Sequence, residues 1–309
     1  MANYLVTGGA GFIGSHISEE LLRRGHRVRV VDSLVTGFQR NLRDGVEFEQ
    51  GDLADPAVAK AAVAGMDYVI HQAAIPSVPR SVEKPEESHR ANIDATLQVL
   101  LASRAARIKR VVFAGSSSVY GDTEVLPKTE VMPTNPLSPY ALQKLVGEMY
   151  LQMFTKLYGL ETVTTRYFNV FGPRQDPGSP YSGVISLFIK ALSEGTPPLI
   201  YGDGEQTRDF TYVANVVDAV LRAADTPGVG GQVFNVATNS RISLNQLLAT
   251  LKKIFGSSVE PIYEPARKGD IHDSQADISK AARLLGYQPS IGLEEGLRKT
   301  VDWYRTSAG

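Results

Sequence analysis

The 309-residue chain contains no cysteine. That excludes disulfides, thiolate zinc sites, iron–sulfur clusters and cysteine nucleophiles, leaves acid–base work to other side chains, and suits a reducing compartment. A charge excess is missing too: 32 lysines and arginines stand against 33 aspartates and glutamates, for a formal net charge of -1. With no global field to gather nucleic acid or an anionic membrane, any phosphate must be held by local groups. No apolar run approaches the ~20 residues that span a bilayer, and the opening MANYLVTGGAGFIG has no basic segment ahead of a long apolar stretch. Repeats, charge blocks and low-complexity linkers are also absent. A cytoplasmic chain without nucleic-acid, membrane or metal partners is expected. What the chain has in quantity is apolar side chains, 43% of the total, enough at this length for one large core or two intimately packed ones.

Those side chains are patterned. Short β-branched runs at Tyr4 to Thr7, Val28 to Val31, Tyr68 to Ile70, Val111 to Ala114 and Val163 to Asn169 read as buried parallel strands. Between the first two, Ile13, Ile17, Leu21 and Leu22 share a helical face, and Gly25 sits where the helix would stop. Strand, helix, strand, repeated over the first half, predicts an α/β fold built on a doubly wound parallel sheet of Rossmann type, with cofactors at its carboxyl edge. From about Gly172 the connections turn rich in Pro and Gly, as in GPRQDPGSP, GTPP and YGDGEQ. Residues 1–168 are assigned to the nucleotide-binding domain and 169–309 to a smaller α/β substrate domain, with some segments of the latter returning to the first. Within the second region, Ser243 and Gln246 form a capping box ahead of Leu247, Leu248, Leu251, Ile254 and Phe255.

The segment TGGAGFIG places Gly8, Gly11 and Gly14 between the first strand and the first helix. Glycines there permit a tight turn, bring the backbone amides of the turn and of Phe12 and Ile13 near a pyrophosphate, and let helix pack closely on strand. A glycine-rich turn is common by itself. Asp32 strengthens the reading, because it ends the second strand 18 residues after Gly14. A carboxylate there accepts hydrogen bonds from a ribose diol and repels a 2′-phosphate, which favours NAD over NADP. Asp52 and Leu53 could reach the adenine edge, although an acidic turn reads equally well there. Ala73, in HQAA, brings a small residue to the cofactor's path, with the neighbouring His71 read as structural.

Tyr140 and Lys144 lie four apart in PLSPYALQK and so share a helical face. Such a pair is common by chance; it gains meaning from Ser116, Ser117 and Ser118, which end the strand RVVFAG at the same carboxyl edge. Removing hydride from a carbinol requires loss of the hydroxyl proton, hence a base. A phenol of pKa ~10 is too weak, so Lys144 and an oxidised nicotinamide are expected to lower it against the opposing cost of desolvation, while Ser116 hydrogen-bonds the substrate oxygen and relays or steadies the proton.

With TGGAGFIG, SSS and YxxxK in this order and spacing, the chain resembles the extended short-chain dehydrogenase/reductase family of nucleotide-sugar enzymes over nearly all its length. PLSPYALQK, RYFNVFGPRQDP, GDGEQTRDF and RKGDIHDSQAD bring it nearest to UDP-glucose and UDP-N-acetylglucosamine 4-epimerases. The resemblance implies an NAD-dependent isomerase that takes hydride from C4, lets the 4-keto sugar turn, and returns hydride to the opposite face. It implies that Tyr140 is the base, Lys144 its tuner and a ribose ligand, and Ser116 the partner of the substrate hydroxyl. Asn169 would meet the substrate phosphates, and Arg208, Arg267 and Asp270 would hold diphosphate and uridine ribose. Ser77, Ser117 and Ser118 would line the sugar pocket. Related dehydratases carry Asp-Glu where this chain has Ser117 and Ser118, which disfavours dehydration, and the same missing glutamate disfavours decarboxylation. Ser274 stands where a bulky tyrosine would exclude N-acetylated sugars, so both acetylated and plain hexoses should enter. A UDP-glucuronate 4-epimerase remains the alternative, ahead of a net dehydrogenase or reductase and of a non-catalytic NAD-binding protein. A homodimer through the stretches around Ile93 to Ala106 and Tyr140 to Tyr158 is expected from the same likeness, though both could equally be core.

Overall fold

The computed structural model describes residues 1–176, 183–266 and 272–307. Strand β1 (Asn3–Thr7) leads into helix α1 (Phe12–Arg23) and strand β2 (Arg27–Asp32), and Gly25 makes the turn between them at φ +78. Strand β3 (Glu47–Gln50), helix α2 (Pro56–Val63), strand β4 (Tyr68–His71) and the helices α3 (Val78–Glu83), α4 (Pro85–His89) and α5 (Ala95–Ala105) follow. Strand β5 (Arg110–Ser116), helix α6 (Pro139–Tyr158) and strand β6 (Thr162–Tyr167) complete the first half. The main sheet has seven strands, ordered Gln232–Val236, β6, β5, β4, β1, β2, β3, all parallel. The direction of winding reverses at β1, and a crevice therefore opens between the carboxyl ends of β1 and β4.

Alternation along β1 sends Tyr4 and Val6 to one face and Leu5 to the other. The first face packs on Ile17 and Leu21 of α1 and on Val216 and Val220 of helix α8 (Val213–Asp225), after α7 (Val184–Ser193). The second packs on Ala62 of α2, Val99 of α5, and Leu151 and Phe154 of α6. Each fully buried aliphatic or aromatic side chain contributes roughly 1.5–3 kcal/mol, and coverage on both faces explains the continuous apolar runs. A further core forms where Phe188 and Ile189 meet Leu247 and Leu251 of α9 (Leu244–Phe255) and Leu297 and Val301 of α11 (Leu293–Ser307), beyond α10 (Ser279–Leu285). The capping box of Ser243 and Gln246 is present at the start of α9. Among the described residues no helix is long and apolar enough to cross a membrane.

Helix α6 is the element that positions the chemistry. Ser138 caps it by accepting the Ala141 amide, Pro139 opens it, and Gly159 at φ +70 ends it. It lies so close to β5 that a methyl group on Gly147 would stand 2.7 Å from the Phe113 ring. No side chain larger than hydrogen fits there.

Two departures from the sequence pattern are informative. Strand β6 stops at Tyr167 rather than Asn169, because Asn169 adopts φ +32, and Val170–Phe171 then pairs with Thr211–Tyr212 in a separate parallel ladder. Strand Gln232–Val236, absent from the expected set, joins the main sheet beside β6. Its Asn235 is fully buried, a residue type that periodicity treats as a loop marker. Here Asn235 accepts the Tyr120 hydroxyl at 2.7 Å and donates to the Lys128 and Asp277 carbonyls at 2.9 and 3.2 Å.

Candidate active site

Gly8 turns the chain off β1 at φ +67, with a Cβ there only 2.7 Å from the Ala73 backbone, and a Cβ on Gly14 would sit 2.3 Å from the Gly8 carbonyl oxygen. The turn is thus folded tightly on itself and on the end of β4. Gly11 is the N-cap of α1 and offers no side-chain cap. The first-turn amides at the positive end of the helix, Phe12 and Ile13 among them, therefore have no capping side chain, which suits a pyrophosphate. Asp32 is buried, and it accepts the amides of Ala10 at 2.9 Å and Leu34 at 2.8 Å. Burial pushes its carboxyl above the ordinary value, opposed by the amides of Leu34, Ala10 and Gly11.

Asp52 accepts the Ala54 amide and pairs with Arg90 at 2.9 Å, while Leu53 is buried behind it. The Ala73 amide donates to Thr7 Oγ1. His71 is pinned between Thr7 Oγ1 at 2.7 Å and Thr96 Oγ1 at 3.0 Å, and burial drives its pKa down to about 3. Gln72 Nε2 at the same strand end is buried with no hydrogen-bond partner among the described residues. These groups suit a dinucleotide: a glycine cradle, an uncapped helix start, a buried carboxylate and an unsatisfied amide lie along one crevice.

Across the crevice, Ser116 ends β5 and caps the short turn Ser117–Tyr120, its Oγ 2.8 Å from Ser118 Oγ and accepting the Ser118 amide. Tyr140 enters from the first turn of α6, whose amide there donates to Ser81 Oγ. Burial raises the Tyr140 phenol above its ordinary pKa, and the Ser116 hydroxyl beside it opposes that rise. One turn on, Lys144 is buried with its Nζ 2.9 Å from the Ala114 carbonyl and 4.9 Å from the Phe113 ring centre. Burial brings the Lys144 pKa down to about 7. Desolvation is the largest influence at both groups, the cost against which Lys144 and an oxidised nicotinamide are expected to act.

On the far side, Asn169 Nδ2 donates to the Asp209 carbonyl at 3.3 Å, and Arg208 Nη1 donates to the carbonyls of Thr207 and His272 at 2.8 and 2.9 Å. Ser274 is buried next to them, its amide bonded to the Thr207 carbonyl. Ser77 is spent as the N-cap of α3, accepting the Arg80 amide at 3.1 Å. Arg267 and Asp270 lie outside the described residues. Sequence reasoning missed Asp209, fully buried, whose carboxylate accepts from the Thr238 amide and hydroxyl and the Ala276 amide. It ties together the segments that carry Asn169, Arg208 and Ser274, and its place beside Arg208 in TRDF was the available signal.

Because the folded-state pKa of Lys144 is depressed to about 7 from 10.5, the unfolded chain binds more protons between those values. Stability should then rise with pH across that window, by up to about 1.4 kcal/mol per unit for this one group. In urea titrations of cofactor-free protein from pH 7 to 9.5, wild type should gain on Lys144→Met. Parallel pH dependences would show that Lys144 keeps its proton in the folded state.

The model of the NAD dependent epimerase/dehydratase family matches residues 4–237. A putative UDP-glucose 4-epimerase of Methanocaldococcus jannaschii is 41% identical over 98% of both chains. The solved UDP-N-acetylglucosamine 4-epimerase of Methanobrevibacter ruminantium, in complex with UDP-N-acetylmuramic acid, is 41% identical and superposes with a TM-score of 0.95 over 99% of each chain. The UDP-glucose 4-epimerase of Thermotoga maritima, solved with UDP-glucose, is 39% identical with a TM-score of 0.96, covering 99% of this chain and 100% of its own. With its glycine cradle, Tyr140, Lys144 and Ser116 gathered at one sheet edge, the chain belongs to the NAD-dependent epimerase/dehydratase family.

Proposed function

We propose that the chain is a 4-epimerase of UDP-hexoses that works through a transient 4-keto sugar and accepts both N-acetylated and plain hexoses. The observation that carries this reading is the meeting of Tyr140, Ser116 and Lys144 at the mouth of the dinucleotide crevice. NAD held in the crevice would supply reversible hydride transfer at C4. Tyr140 takes the proton of the C4 hydroxyl and later gives it back, while Ser116, oriented by Ser118, holds the oxygen from which the proton leaves. Lys144, kept close to Tyr140 by the helix, steadies the phenolate and holds the nicotinamide ribose. Gly8, Gly11, Phe12, Ile13 and Gly14 cradle the pyrophosphate, Asp32 takes the adenosine ribose, and Asp52, Leu53 and Ala73 flank the cofactor.

Asn169, Arg208 and Arg267 hold the diphosphate, Asp270 the uridine ribose, and Ser77, Ser117 and Ser118 line the sugar pocket. Two guanidinium forks suit a diphosphate. Serines at 117 and 118 offer no carboxyl to move protons at C5 or C6, which favours epimerisation over dehydration. We also propose a homodimer, because Leu101 of α5 and Leu142, Met149, Met153 and Leu157 of α6 are exposed apolar side chains on the paired helices of the family likeness.

Purified protein given UDP-N-acetylglucosamine or UDP-glucose without added NAD should form the galacto epimers, resolved by anion-exchange chromatography. Tyr140→Phe should lower kcat by about 10²–10⁴-fold while leaving folding intact; an unchanged kcat would sink the assignment of the base. Replacing Ser274 by Tyr should cut turnover of the acetylated sugar at least tenfold and spare UDP-glucose, and equal rates on both sugars would remove Ser274 as the gate. Sedimentation should show a dimer that the double change Met149→Glu, Met153→Glu converts to monomer, whereas an unaltered dimer would move the interface elsewhere.

A further inference from the structure

Tyr140, Lys144 and Glu148 succeed one another at intervals of four along α6 and so lie on one face. The first two serve the proposed chemistry. Glu148 makes a bidentate ion pair with Arg166 of β6, at 2.9 Å to Nε and 2.6 Å to Nη2. Both partners are almost wholly buried, at 3% and 5% side-chain exposure. The remaining terminal nitrogen of Arg166, Nη1, is buried without a hydrogen-bond partner among the described residues. Its guanidinium also lies over the Tyr120 ring, 4.7 Å from the centre, in a cation–π contact. Tyr120 closes the turn that Ser116 caps, and its hydroxyl is fixed on Asn235.

Arg166 thus grips the helix that carries the base and also the turn that carries the serines. A buried ion pair is a poor device for stability, because its desolvation cost offsets the attraction and an apolar pair of similar volume often does as well. It is a good device for register, since the planar fork fixes distance and angle together.

We propose that Arg166 is a positioning residue, which through Glu148 and Tyr120 sets the distance between Tyr140 and the Ser116–Ser118 hydroxyls. The inference rests on the epimerase reading and adds what holds its reacting groups in place. Without Arg166, α6 keeps its Lys144 bond to Ala114 and its Tyr140 amide bond to Ser81. Helix and cofactor site persist, while the spacing across the reacting carbon loosens.

The test compares wild-type holoenzyme with Arg166→Lys, Arg166→Met and the double variant Arg166→Met, Glu148→Met. The double variant removes both charges at once, so no unpaired buried ion threatens folding. Each is assayed for kcat, KM, retained NAD, melting temperature and the kinetic isotope effect with sugar deuterated at C4. The double variant is expected to fold, to retain NAD, and to keep KM within about twofold. Its kcat should fall roughly 10–100-fold, the size that a misplacement of about 1 Å produces, with a larger isotope effect and partial recovery in Arg166→Lys. A folded double variant with wild-type kcat and isotope effect overturns the proposal while leaving the epimerase reading intact, as does a rate loss that only follows melting temperature or lost NAD. Wild-type protein that turns over neither UDP-hexose overturns the underlying reading and this inference with it.

Discussion

The approach of helix α6 to strand β5 is the constraint on which the site depends. Contact between Gly147 and Phe113 admits no methyl group, and this closeness is what lets Lys144 reach the Ala114 carbonyl. Tyr140 is delivered one turn earlier and Glu148 is buried one turn later. Were the helix lifted by the width of one side chain, all three contacts would be lost together, because they share one rigid rod. The exposed side of the same helix carries the apolar side chains of Leu142, Met149, Met153 and Leu157.

The site also holds its ionisable groups under electrostatic tension. Burial raises the Tyr140 phenol and the Asp32 carboxyl and lowers the Lys144 ammonium, so each charged form is disfavoured by the protein alone. Under the proposed reading, a dinucleotide held in the crevice would add a positive charge that favours the Tyr140 phenolate against this burial cost. Proton removal by Tyr140 would thereby be tied to the presence of a hydride acceptor, keeping the two halves of the proposed oxidation together.

Much of this was legible in the residues. The glycine turn, Asp32, the serine strand and the Tyr-Lys spacing each encode a local geometry, and local geometry survives into the fold. What was illegible was whatever depended on partners distant in sequence. Asn235 looks like a strand breaker until Tyr120, Lys128 and Asp277 are seen to satisfy it. Asp209 looks like a surface acid until Thr238 and Ala276 close on its carboxylate. Strand β6 ends early because Asn169 takes a left-handed conformation that an apolar run cannot announce.

The position of strand Gln232–Val236 carries a consequence for synthesis. It pairs with β6 across a long excursion through α7 and α8, and α8 in turn covers the face of the sheet that α1 shares. A nascent chain that has just made β6 therefore has a threonine-rich, unpaired strand edge and one half-covered sheet face. Neither is closed until residue 236 has left the ribosome, so the nucleotide-binding half cannot finish first as an autonomous unit. During that interval the β6 edge is the surface most open to pairing with the wrong strand, and it is there that a chaperone or a slow stretch of translation would have the greatest effect on yield.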